Sequence, residues 1–143
     1  MKSLNFYHGS TTSGIEILEP HRPRNGAFQD RTEISAVYAT TDIDYAIFMA
    51  VIGSRKWGGC NSEKFGDKGF YLYEEFSDYL DPTKYEEPIG TVYDLNPDSF
   101  ELSRYNEWHS KSPVKVLGSF AVGLRDLPKI AVIPELHPSH YRQ

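Results

Sequence analysis

The chain has 143 residues, 39% of them hydrophobic, 24% charged and 14% aromatic, with 15 basic against 20 acidic side chains. Ten Tyr, eight Phe and two Trp give more apolar surface than a disordered chain carries, so one soluble globular domain spanning 1–143 is expected. The net charge of -5 excludes a general nucleic-acid binder. The apolar runs AIFMAVI and KIAVI fall short of the ~20 residues of a membrane span, and MKSLNFYHGS does not read as a secretory signal, so a cytoplasmic monomer without membrane contact is expected.

In chain order, Leu4 to Tyr7 reads as a first strand that runs into Gly9-Ser10, with His8 at its C-terminal end. IEIL, after the polar turn at Thr11 to Gly14, fits a strand or one helical turn, and Pro20 and Pro23 then stop regular structure. The loop beyond them carries His21, Arg22, Arg24 and Arg31, the best basic patch in the chain. SAVYAT (Ser35 to Thr40) has the content of a short strand, and Thr41-Asp42 is a natural N-cap for a helix from Asp42 to Ile52. Tyr45, Phe48, Met49 and Ile52 lie at i, i+3, i+4 and i+7, and Ile43, Ala46, Ile47 and Ala50 widen that stripe until little polar face is left, so the helix is expected to be buried.

Gly53 ends the helix, and GSRKWGGCNSEKFGDKG reads as a long glycine-rich loop, a lid or a mobile surface segment. Phe70 to Tyr73 and Gly90 to Leu95 read as strands joined by an acidic, Tyr-rich connection around Asp78 to Glu87. Val114 to Val122 and Ile130 to Ile133 supply two more, with a turn at Leu124 to Pro128. About six short strands and one convincing helix make an α+β plan rather than an alternating, doubly wound one.

Many chemistries are excluded. GxGxxG, GxxxxGK[ST], HExxH and GxSxG are all absent. Cys60 is the single cysteine, which rules out an intramolecular disulfide or a multi-thiolate zinc site. His137 and His140 share an i, i+3 spacing in a Pro-rich tail with only Glu135 nearby, so no metal site is expected.

What remains is Tyr7-His8-Gly9-Ser10, then Val37-Tyr38-Ala39-Thr40 followed by Tyr45, then Glu107-Trp108 ahead of the strand expected at Val114. In this order the three pieces resemble the ADP-ribosyltransferase superfamily, in its diphtheria-toxin and poly-ADP-ribose-polymerase-like branch, whose signature is His, Tyr and Glu on three separated strands. The resemblance implies split antiparallel β-sheets around an NAD cleft with few helices. It implies that His8, Tyr38 and Glu107 are catalytic and that Gly9, Ser10, Tyr45, Arg22 and Arg24 bind the dinucleotide. His8 would hydrogen-bond the nicotinamide ribose, the Gly9 backbone would pair with the carboxamide, and Tyr38 and Tyr45 would flank the ring. NAD would be the substrate, its nicotinamide-ribose bond cleaved and ADP-ribose passed to an acceptor that the sequence does not name. No Glu-x-Glu pair is present, because Glu74-Glu75 and Glu86-Glu87 are adjacent, which disfavours arginine as acceptor.

Three alternatives stay open: a noncatalytic nucleotide- or partner-binding module on the same fold, an RNA 2'-phosphotransferase-like enzyme built on two His and two Arg, and an interaction protein whose surface displays Tyr71, Tyr73, Tyr79, Tyr85, Tyr93 and Tyr105.

Overall fold

Tyr7 and Gly9 alternate with Phe6 and His8 along β1 (Phe6–Ser10), and that pleat decides which residues meet the helix. The computed structural model describes residues 5–21, 35–52, 58–60, 70–104 and 107–133. After β1 come β2 (Ile17–Leu18), β3 (Val37–Thr40), α1 (Ile43–Val51), β4 (Gly58–Cys60) and β5 (Phe70–Tyr73). Then follow β6 (Pro88–Leu95), β7 (Glu101–Arg104), β8 (Glu107–Ser110), β9 (Val114–Gly123) and β10 (Ile130–Ile133). Seven strands form one antiparallel sheet in the order β2-β9-β6-β1-β3-β8-β7. The other three form a second sheet, β10-β5-β4, in which β5 and β10 run parallel.

Helix α1 starts where Asp42, in an extended conformation, accepts hydrogen bonds at Oδ1 from the backbone N–H of Asp44 (3.0 Å) and Tyr45 (3.4 Å). It lies directly on the large sheet because β1 and β6 present glycine beneath it. A Cβ on Gly9 would run into the carbonyl oxygen of Ala46, and one on Gly90 into that of Ala50. The other side of α1 meets the small sheet: Phe48 and Phe70 have ring centroids 5.2 Å apart, and Leu72 is fully buried in the same cluster as Phe48 and Val51. The Tyr79 hydroxyl donates to the Val51 carbonyl at 2.5 Å. Burial on two sides explains the nearly continuous apolar run of this helix. Its first turn is the exception, with Ile43 39% and Tyr45 37% exposed.

A second cluster occupies the opposite face of the large sheet, where Phe6, Leu18, Val37, Ala39, Tyr93, Leu95 and Val114 are buried together. Phe6 packs against the rings of Phe100 (5.0 Å) and Trp108 (4.9 Å). Tyr93 is wholly enclosed, and its hydroxyl donates to the Thr12 carbonyl (2.6 Å) while accepting from the Ile15 N–H (3.2 Å). That pair of bonds satisfies the one polar atom of a buried ring and fastens the connection between β1 and β2 to the sheet.

The architecture is mostly antiparallel β with one α-helix among the described residues, in keeping with the expectation of few helices. Several local expectations need correcting. His8 is the third of five residues in β1, not its end, because β6 pairs with β1 through Ser10↔Thr91. Of IEIL, left open between a strand and a helical turn, only Ile17–Leu18 is strand. Within the glycine-rich segment, Gly58–Cys60 pairs with β5, so part of the expected loop is strand. The acidic connection is 3-10 helical at Glu74–Leu80 and Pro82–Lys84, with Asp81 capping the second turn through the Thr83 N–H (2.9 Å). The expected turn after β9 also contains a 3-10 turn, Leu124–Asp126. Of the tyrosines read as surface, Tyr73 and Tyr93 are core residues, Tyr85 is 50% exposed, and Tyr105 lies outside the described residues.

The glycine contact under α1 is open to test. Gly90→Ala should destabilise the protein by about 1–3 kcal/mol in urea unfolding, since a backbone carbonyl must give way. Gly118→Ala, on the same sheet with nothing within 4 Å of an added Cβ, should change stability by less than about 0.5 kcal/mol.

Candidate functional site

Residues far apart in sequence come together because β3 lies between β1 and β8. Tyr7 is the Cα partner of Thr40, and Thr40 is the partner of Glu107, so one row crosses all three strands. Tyr38 is the partner of His109 in the next row. The three residues expected to be catalytic, His8, Tyr38 and Glu107, therefore sit on three strands that are adjacent in one sheet. Glu107 corrects the sequence reading: it opens a strand of its own, β8, rather than lying in a segment ahead of the strand at Val114. The short hairpin partner β7 supplies that strand with its neighbour, which a reading of isolated apolar runs does not reveal.

Pairing between β1 and β3 is brief. Among the described residues it consists of Tyr7↔Thr40, whereas β1 pairs with β6 along its whole length from Phe6 to Ser10. Beyond that single pair the His8 side chain takes over: its Nδ1 lies 2.7 Å from the Tyr38 carbonyl oxygen. A carbonyl can only accept, so Nδ1 carries the proton and the neutral ring leaves Nε2 as an acceptor. Burial pushes the His8 pKa below its ordinary value, against the hydrogen bond to Tyr38, which raises it, and with help from the charge of His21. His21 itself is exposed and bridges to Ala36 through two backbone hydrogen bonds (3.1 and 3.0 Å), which brings it to the entry of β3.

The pleat separates these groups. Gly9 faces α1, so His8 and Ser10 leave β1 on the other side. Directly paired residues share a face, so Thr40, Tyr38, Glu107 and His109 lie on the α1 side with Tyr7. The imidazole of His8 and the side chains of Tyr38 and Glu107 thus approach from opposite faces, at the place where the sheet opens between β1 and β3. They do not line one face, as the sequence reading expected of a single cleft.

The dinucleotide-binding residues divide similarly. Gly9 has a packing duty under Ala46 that is sufficient reason for glycine at that position. The Ser10 hydroxyl accepts from the Thr12 N–H (3.0 Å), a local turn contact. Tyr45 stands on the partly exposed first turn of α1. Arg22 and Arg24, with Arg31, lie outside the described residues.

Sequence reading missed one pair. His109 and Ser103 sit beside Glu107, with Ser103 Oγ 2.6 Å from His109 Nδ1 and the Tyr38 and His109 rings 6.5 Å apart. The signal was present in Glu107-Trp108-His109-Ser110: in a strand the first and third residues share a face, while Trp108 turns to the aromatic cluster with Phe6. Among the described residues no group of three or more His, Cys, Asp or Glu is arranged to hold a metal ion, and no helix is long and apolar enough to cross a membrane. Protein-family models give no match to this chain, and neither do the curated proteins.

His8 makes the site sensitive to pH in a defined direction. Its folded pKa is depressed, so the unfolded chain binds the proton more readily and stability falls as pH drops below about 6.5. NMR titration should show the His8 midpoint below 6.5, and His8→Gln should flatten the loss of unfolding free energy between pH 7.5 and 5. A midpoint at or above 6.5 contradicts the burial argument.

Proposed function

We propose that the protein binds NAD where the large sheet opens between β1 and β3, cleaves the nicotinamide-ribose bond and transfers ADP-ribose to an acceptor. The observation that carries this reading is the break in pairing after Tyr7↔Thr40, bridged by a neutral His8 and bordered by Tyr38 and Glu107 on the two following strands. A flat pyridinium ring needs an edge of backbone for its carboxamide and aromatic surface for its face. The Gly9 backbone and the rings of Tyr38 and Tyr45 would supply them, with a cation–π gain of about 0.5–2 kcal/mol.

The chemistry asks little of proton transfer and much of electrostatics. Loss of nicotinamide leaves an oxocarbenium-like ribose, and a carboxylate beside it lowers the barrier as it does in glycoside cleavage. Glu107, half-buried at the start of β8, would take that part. The Nε2 of His8 would accept a hydrogen bond from a ribose hydroxyl, a role for which the protonated ring is unsuited. Arg22 and Arg24 would meet the pyrophosphate. An ADP-ribosyltransferase-like split sheet is the fold this reading implies.

One observation favours a second reading. Because His8 and Glu107 leave opposite faces of the sheet, the same opening suits a module that binds a nucleotide without reacting with it. Incubation of the purified protein with NAD separates the two. The transferase reading expects nicotinamide to appear by chromatography, with the rate lowered about 100-fold or more in Glu107→Gln and in His8→Ala. NAD binding by calorimetry without nicotinamide release, in the presence of protein, nucleic-acid and small-molecule acceptors, makes the second reading the correct one.

A further inference from the structure

The two ends of the large sheet are built differently. At one end β7 has the features that keep an edge strand from pairing with another chain: it is four residues long, has Glu101 and Arg104 at its ends and contains a bulge between Leu102 and Arg104. At the other end β2 is only Ile17–Leu18. It pairs with Lys115 and Val114 of β9, and the Val116 N–H donates one more bond to the Glu16 carbonyl (3.0 Å). Among the described residues nothing pairs with the outer edge of β9 from Leu117 to Gly123. On the inner side that stretch is held in place, since Gly118 to Val122 pair with Asp94 to Gly90 of β6 without a break in register. It has none of the protection seen in β7, because LGSFAVG contains no charge and no proline. Leu117 to Ala121 are all exposed, Leu117 by 58% and Phe120 by 42%. Phe120 pairs with Val92, which is buried under α1, so its ring stands on the helix side of the sheet.

We propose that two copies of this chain pair along this edge, β9 antiparallel to β9, with a two-fold axis at Phe120. The two seven-stranded sheets then form one continuous sheet, in place of the monomer expected from the sequence. Symmetry supplies the register, because Phe120 is the midpoint of the unpaired stretch. Leu117 lies opposite the partner's Gly123 and Ser119 opposite the partner's Ala121, so the pairing uses the whole stretch and stops where β2 takes over. Gly118, with nothing within 4 Å of an added Cβ, is the diagonal neighbour of the partner's Phe120 and leaves room for its ring. Charge selects the occupant. Each chain has a net charge of -5, and this neutral strand is where two such chains meet without opposing like charges. An acidic or basic peptide would find no counter-charge along it. At ~3.3 Å per residue the shared edge is ~23 Å long. That is small for an interface, so dimer and monomer exchange as concentration changes.

The test measures the mass of the full chain by sedimentation equilibrium from about 5 to about 500 μM, a range that spans the weak association of a small interface. The expected result is a rise from 16.3 kDa toward twice that mass. Phe120→Lys and Phe120→Glu should each weaken association at least about tenfold, because like charges then face each other at the axis. An equimolar mixture of the two should associate again. Leu102→Lys, on β7 and equally exposed, should associate like the parent chain. A second measurement does not depend on charge: in a Cys60→Ser background, Phe120→Cys should form a disulfide-linked dimer on mild oxidation and Leu102→Cys should not. Monomer mass throughout, a mass that climbs past the dimer, association unchanged by Phe120→Lys or lost in Leu102→Lys, a mixture that stays monomeric, or cross-linking through Leu102→Cys overturns the inference.

Discussion

The fold depends on how closely one helix can lie against one sheet. Gly9 on β1 and Gly90 on β6 remove the two side chains that would otherwise hold α1 off, and Ala46 and Ala50 face them with almost no bulk of their own. Backbone then rests nearly on backbone. That contact fixes the register of the helix over the sheet, buries Val92 and Val122 beneath it, and leaves the other side of α1 free for Phe70 and Leu72 of the small sheet. It also fixes the orientation of β1: with Gly9 committed to the helix, His8 has no choice of face. A residue central to the proposed chemistry is therefore aimed by a packing constraint one position away.

The same constraint changes how the Tyr-His-Gly-Ser segment is to be understood. A glycine next to a candidate ligand-binding histidine invites a ligand explanation, yet here steric packing alone demands it. The two explanations are compatible, since the Cα side of Gly9 serves the helix while its peptide groups lie in the plane of the sheet. His8 is different, because its ring hydrogen-bonds the Tyr38 carbonyl on the next strand where the backbone pairing of β1 and β3 has stopped.

How far the sequence revealed this arrangement can be judged from individual residues. Asp42 was readable as a cap because its side chain acts on its own local backbone, and the burial of α1 was readable from a pattern contained within one turn after another. β8 was not, since Glu107 to Ser110 becomes a strand through pairing with Val37 to Thr40 and with β7, contacts that no local pattern encodes. For the same reason the sequence places Glu107 ahead of a strand rather than at the start of one, and gives no sign of the Ser103–His109 contact. The three segments that carry the resemblance are neighbouring strands of one sheet. Which side chain stands on which face had to come from the register.

The parallel pairing of β5 with β10 has a consequence for how the molecule is made. Phe70 to Tyr73 is synthesised early relative to its partner, Ile130 to Ile133, and every strand of the large sheet after β3 lies between them in sequence. The small sheet cannot close until β10 has emerged, so a nascent chain that has already laid α1 on its glycines would carry the Phe48 side of the helix uncovered. Until β10 covers it, that apolar helix face is the kind of surface through which nascent chains aggregate.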